Sequence, residues 1–233
     1  MPVLDDLKNK ISSYANEKYE IEETTIVPST DYSKLTFGNK GLTSSFAFLF
    51  VDIRKSSELH DTYGYKLAAK IYQSFHEINV TIISSNDGSI RAFDGDRVMG
   101  VFSGDRKRSN AVKSAMQIHW AVRNILNPTL KTTIRIGAGV DNGITLVTKV
   151  GKGRNTENQD LVWIGKASNY ASHLSNEADN TTIISVDTFT NMDKENKILS
   201  SSDPREIWTQ KTLTLKNDKK VSCYESSTPW EIV

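Results

Sequence analysis

The run Phe46-Ala47-Phe48-Leu49-Phe50-Val51-Asp52-Ile53 constrains this chain more than any other stretch. It is apolar except for Asp52, and a continuous apolar run of this length reads as a strand buried on both faces. Desolvating a carboxylate costs several kcal/mol, so Asp52 needs a compensating partner. Arg54, Lys55, Ser56 and Ser57 follow at once as a basic, hydroxyl-rich turn. A strand ending in a carboxylate, then such a turn into a helix, suits a metal–phosphate site. The carboxylate holds a divalent cation while turn N–H groups and the helix N-terminus face phosphates. A lone Asp here is more often a helix cap or turn residue, so a second carboxylate has to support the reading.

The bulk numbers narrow the function classes. With 233 residues, 37% of them hydrophobic, the chain can bury a sizeable core. A net charge of +1, with Lys and Arg spread out, gives no case for a nucleic-acid polymer or an anionic membrane as partner. One cysteine, Cys223, excludes an intramolecular disulfide and fits a reducing, cytoplasmic setting. Residues 1–20 lack the apolar core of a signal peptide, and no run of about 18 apolar residues offers a membrane span.

Periodicity divides the chain into an N-terminal helix and irregular arm, residues 1–44, and a compact domain with a C-terminal extension, residues 45–233, whose core is 45–190. Val3, Leu7, Ile11 and Tyr14 form one stripe of a helix over 3–18, expected to dock on the domain or a second subunit. The arm, with Pro28, holds one short strand near Ile26-Val27. After the first strand a short helix opens at Ser56, breaks near Tyr63-Gly64-Tyr65 and continues to Ser84. His76 on it is expected at the surface or its boundary. Asp94-Gly95 between two strand-like segments is a hairpin signal, and Asn142-Gly143 a second. A helix over 105–127, apolar at Ala111, Ala115, Ile118 and Ile125 among others, is expected to stop at Asn127-Pro128. Residues 151–160, with Lys152, Arg154 and Glu157, read as a polar loop. A strand at Leu161–Ile164, a helix after Gly165, a strand at Thr182–Val186 and a short helix near Thr188–Met192 follow. A hairpin of Trp208–Leu215 with Val221–Tyr224, spanning a lysine-rich loop at Lys216–Lys220, precedes a loose end. This order is α+β: a mixed, mostly antiparallel sheet with helices on one face. The end of the first strand and the turn of the first hairpin then lie side by side. Asp52 and Asp96 would meet there around one or two cations able to clamp an in-line phosphoryl displacement.

Four segments carry a resemblance. They are Phe50-x-Asp52-Ile53-Arg54-x-Ser56, Phe93-x-Gly95-Asp96-x-x-Met99-x-Val101-Phe102, Arg135-Ile136-Gly137-x-Gly139 and Gly165-x-x-x-Asn169-x-Ala171. In order and spacing, over about 45–190, they resemble the catalytic domain of class III nucleotidyl cyclases. The preceding segment, with Val27-Pro28 and Leu35-Thr36-Phe37-Gly38, is similar to the N-terminal region of the pyrimidine cyclases of bacterial anti-phage (Pycsar) systems. The resemblance implies a ferredoxin-like core and a head-to-tail homodimer with active sites at the interface. It implies two Mg²⁺ or Mn²⁺ ions held by Asp52 and Asp96 with the Ile53 carbonyl assisting. It implies that the stretch from Phe50 to Ser56, Arg54 and Lys55 included, wraps the triphosphate, and that Asn169 of the other subunit orients the ribose.

The chain departs from that pattern at three places. Purine cyclases carry Lys or Glu four residues before the second metal Asp, and Asp or a small polar residue three before the Gly of the last motif; here stand Ala92 and Val162. Both purine-reading groups are missing, which argues against adenylate or guanylate cyclase activity. Phe50, Arg97 and Trp163 are candidates to shape a pyrimidine pocket. The transition-state Arg expected four residues after the Asn is His173, a weaker donor whose charge Arg97, Lys166 or Arg54 would have to supply. The expected activity is conversion of UTP to 3′,5′-cyclic UMP, with CTP to cyclic CMP as the alternative substrate. In the resembled systems a separate effector protein reads the product. A catalytically silent nucleotide-binding or dimerisation module is the competing class.

Overall fold

The computed structural model describes residues 2–151, 158–214 and 220–232. Its centre is β2 (Lys40–Ile53), which pairs antiparallel with β5 (Ile136–Val150) from Leu42↔Val147 to Ile53↔Ile136. Successive side chains of a strand point to opposite faces. On β2 this sends Ala47, Leu49, Val51 and Ile53 into one apolar cluster and Phe46 and Phe48 into another. The apolar run is therefore buried on both sides, as its composition demands.

The path through the sheet is β3 (Gly88–Asp94), β4 (Arg97–Phe102), β2, β5, β7 (Thr182–Ser185), β9 (Lys220–Ser226) and β8 (Thr209–Thr214). β1 (Glu20–Glu23) runs parallel to β2, and β6 (Asp160–Ile164) antiparallel to β5. β5 and β7 are parallel; the remaining pairs are antiparallel. α2 (Leu59–Ser85) and α3 (Lys107–Ala121) cover the face of Leu49 and Val51. α5 (Lys166–Glu177) covers the other: Ala167 and Ala171 join Phe46 and Phe48, and a β-carbon at Gly139 would collide with the Ala171 carbonyl and the Ser175 amide. The expected single helical face is that of α2 and α3; α5 lies across the sheet from it because Gly137 and Gly139 leave room for its backbone.

Several expectations change. Asn142-Gly143 makes no turn: both lie inside β5, opposite Ala47 and Phe46. Neither has the positive φ that a two-residue hairpin of this kind uses. The Asn142 side chain instead donates to Asp187 (2.7 Å) and accepts from Thr188 (3.0 Å), tying β5 to α6 (Val186–Asn191). The short arm strand is Glu20–Glu23 rather than Ile26-Val27, and β2 starts at Lys40, so the sheet reaches into the arm. α3 passes through a π-helical turn, Val122–Leu126, into α4 (Asn127–Leu130). Pro128 sits in the first turn of α4, where its missing N–H costs nothing, and Ile125 is 48% exposed. The break in α2 falls at Gly64, as expected.

α1 (Pro2–Asn16) is tied to its own domain at its C-terminal end, where Asn39 donates to the Tyr14 carbonyl at 3.0 Å, but its apolar stripe is not packed there: Val3, Leu7, Ile11 and Tyr14 are all exposed. The C-terminal end is not loose, since the Trp230 amide donates to the Met116 carbonyl at 3.1 Å and Lys113 lies over the indole ring. The loop residues Lys152, Arg154 and Glu157 lie outside the described residues, as do Leu215 and most of the lysine-rich loop. No helix among the described residues is long and apolar enough to cross a membrane.

Candidate active site

The register of the sheet builds the site. Asp52, the penultimate residue of β2, stands opposite Arg97, the first of β4. Three residues earlier, Asp94 pairs with Arg97 and closes a hairpin over Gly95 and Asp96. Gly95 takes φ +59° at the first central position, which a side-chain-bearing residue resists, and Asp96 has no positive φ; this is the II′ arrangement. The hairpin tip and the end of β2 therefore share one cavity of about 510 Å³. Asp52, Ile53, Arg54, Lys55, Ser56, Asp94, Gly95, Asp96 and Arg97 line it. Lys55 has φ 58°, left-handed, immediately before the 3₁₀ turn Ser56–Glu58. Such a conformation turns successive N–H groups toward one side, as in anion-binding nests.

Asp52 is 6% exposed and is clasped by two guanidiniums. Arg97 Nη2 donates to Oδ2 at 2.8 Å, and Arg54 Nη2 lies against Oδ1. Arg97 also bonds Ser172 Oγ (3.1 Å) and Asn176 Oδ1, and Arg54 Nη1 bonds the Asn176 carbonyl at 3.0 Å. Burial, and next the neighbouring Arg97 charge, hold the Arg54 guanidinium below its usual value; Asp179 and Asp96 act the other way. The buried carboxylate thus draws compensating positive charge from both sides, the demand a divalent cation also meets.

Arg54, Lys55 and Arg97 balance Asp52, Asp94 and Asp96 in formal charge. A triphosphate meets little net attraction here until cations neutralise the carboxylates. No group of three or more His, Cys, Asp and Glu that could hold a metal occurs among the described residues. Two carboxylates and a main-chain carbonyl nevertheless suit a hard cation whose other ligands are phosphate oxygens and water, the usual arrangement for Mg²⁺.

The remaining sequence candidates lie elsewhere. Phe50 and Trp163 belong to the apolar cluster of Phe46 and Phe48, with Trp163 edge-on to both rings at 5.5 and 5.8 Å. The Trp163 indole N–H is buried without a hydrogen-bond partner. Lys166, Asn169 and His173 sit along α5 and do not line the cavity; Lys166 and Asn169 are exposed. Sequence reasoning missed Ser172 and Asn176, which anchor Arg97 from α5. Their i, i+4 spacing on one helix face was the only signal, and nothing in it names Arg97 as partner.

The fold agrees with solved nucleotide cyclases. The adenylyl cyclase CyaB from P. aeruginosa matches with a TM-score of 0.68 at 20% identity, over 80% of this chain and 95% of that one. The guanylyl cyclase Cya2 matches at 0.67 and 16%, over 81% and 94%. No family model matches the chain. A uridylate cyclase of Burkholderia cepacia is 30% identical over 239 residues, and one of Xanthomonas perforans 32% over 240, each covering 100% of both chains. Sheet, cavity and relatives together define a class III nucleotidyl cyclase, a phosphorus–oxygen lyase. Within that class the chain belongs to the uridylate cyclase family.

Proposed function

We propose that this cyclase converts UTP into 3′,5′-cyclic UMP and pyrophosphate, working as a head-to-tail homodimer with two Mg²⁺ or Mn²⁺ ions per site. One observation carries the reading: Asp52, Asp96 and the Arg54–Ser56 turn share a single cavity in a chain whose full-length relatives are named uridylate cyclase. The ribose 3′-oxygen attacks the α-phosphorus and loses its proton to solvent; the bond from that phosphorus to the bridging oxygen breaks, and pyrophosphate leaves. Asp52, Asp96 and the Ile53 carbonyl are the groups to hold the cations, which neutralise phosphate charge and acidify the 3′-hydroxyl. Arg54 and Arg97, relieved of Asp52, turn their planar forks to phosphate oxygens, and the Lys55–Ser56 N–H groups add neutral donors. The protein's share is positioning and preorganised charge.

Ala92 and Val162 offer a purine no polar reader. The name of the full-length relatives, uridylate cyclase, favours UTP over CTP. Asn169 is exposed and outside the cavity of its own chain, which supports its delivery by a partner subunit. The cyclic nucleotide then serves as an anti-phage signal in the cytoplasm, read by a separate effector. One observation favours a second reading, a silent nucleotide-binding module: Asp52 is already fully engaged by arginines. Incubation with each NTP and Mn²⁺, followed by mass analysis, separates these. Cyclic UMP is expected. Cyclic CMP alone moves the substrate to CTP, cyclic AMP or GMP alone overturns the pyrimidine assignment, and no product from any NTP leaves the silent module.

A further inference from the structure

The two-residue turn that presents Asp96 is held from behind by a histidine outside the four cyclase-like segments of the sequence. His76, on α2, places Nε2 2.9 Å from the Gly95 carbonyl oxygen. A carbonyl only accepts, so Nε2 carries the hydrogen. Nδ1 is buried with no hydrogen-bond partner, so the Gly95 carbonyl is the ring's one hydrogen-bonding contact among the described residues. The ring is seated between aromatics: Phe93 meets it edge-on with centroids 5.1 Å apart, and Phe75 lies at 5.6 Å. Its orientation is therefore set by packing as well as by the bond.

The partner matters because of where it lies. The Gly95 carbonyl belongs to the peptide unit whose other end is the Asp96 nitrogen and α-carbon, and those six atoms move as one plane. Gly95 is otherwise the freest point of the turn, with a positive φ and open space where a β-carbon would stand. Fixing its carbonyl fixes where the Asp96 side chain starts. One helical turn earlier stands Tyr72, whose phenol is pushed up first by burial and then by the Asp96 carboxylate. α2 thus reaches the hairpin tip directly through His76, with Tyr72 in the field of the same Asp96 carboxylate.

We infer that His76 is a positioning residue for the cation site: its Nε2–H bond to the Gly95 carbonyl holds the Asp96 carboxylate in register with Asp52. This rests on the assignment of Asp52 and Asp96 as cation ligands. Groups that orient a ligand from behind are typically worth about 10- to 100-fold in metal affinity.

The test is a titration of the full-length protein with Mn²⁺ alone, following free Mn²⁺ by its electron paramagnetic resonance, for wild type, His76→Leu, His76→Gln, His76→Asn and Asp96→Ala. Asp96→Ala should lose the site. His76→Leu should weaken Mn²⁺ about ten-fold or more, while His76→Gln, whose terminal amide reaches as far as Nε2, stays near wild type. In turnover the Mn²⁺ requirement of His76→Leu should rise while kcat at saturating Mn²⁺ returns toward wild type. A folded His76→Leu with unchanged Mn²⁺ affinity overturns the inference. Should His76→Leu not fold, the shorter Asn decides: weaker binding in His76→Asn than in His76→Gln supports the role, and equal wild-type binding in both overturns it. Unchanged Mn²⁺ binding in Asp96→Ala overturns the ligand assignment itself, a separate failure.

Discussion

Two buried titratable groups remote from the cavity should hide each other's effect on stability, and single substitutions should unmask them. His119 on α3 is buried, with Nε2 3.0 Å from the Thr181 carbonyl. Burial lowers its pKa to about 4, with Arg123 adding to the shift and the Thr181 bond opposing it. The unfolded chain takes up the proton near 6.5 and the native state does not, so this stability is present above 6.5 and is lost as pH falls toward 4. Asp141 on β5 is pushed up to about 6, chiefly by burial, with Ser185 and the Asn142 amide opposing and Asp187 adding. Its folded value lies above the 3.8 of an ordinary aspartate, so its stability is full below 3.8 and lost as pH rises through 6. From pH 7 to pH 5, His119 costs about 1.8 kcal/mol and Asp141 returns about 1.3 kcal/mol, leaving a net loss of about 0.5 kcal/mol. Asp141→Asn should therefore lose about 1.3 kcal/mol more than wild type over that interval, and His119→Gln should lose about 1.8 kcal/mol less. Urea unfolding at pH 7 and pH 5 measures both. Parallel pH dependence in all three proteins would refute the reasoning.

Asp52→Asn and Asp96→Ala should each abolish cyclic product while circular dichroism stays native, and turnover in either removes the cation assignment. Mixing the inactive Asp52→Ala and Asn169→Ala proteins should restore roughly a quarter of wild-type activity, because half the reassorted dimers carry one intact site of two; no recovery after confirmed subunit exchange argues against Asn169 acting from the partner. Gly139→Ala should lower stability by about 2 kcal/mol or more, since its β-carbon meets the backbone of α5 at Ala171 and Ser175. A thermal melt within error of wild type would show that α5 shifts freely.

Much of the site was legible in one dimension. Asp52 stood out as a charge in a buried strand, and the Asp94-Gly95 pair marked the turn that carries Asp96. Both signals are local: strand burial and turn chemistry are written in neighbouring residues. The same local rule misread Asn142-Gly143, where the pairing of β5 with β2 and the bonds from Asn142 to Asp187 and Thr188 outweigh turn preference. The stripe on α1 was read correctly as apolar, yet a stripe does not say what it touches.

The carboxylate at the end of the central strand and the Asp94-Gly95 turn beside it follow from the amino-acid sequence alone, because each depends on residue type and short spacing. That Asp52 is gripped by Arg54 and Arg97, that α5 crosses the sheet at Gly139, and that His76 stands behind Gly95 were settled only by tertiary structure. Those pairings join residues far apart along the chain, and their register is set by how helices and strands pack.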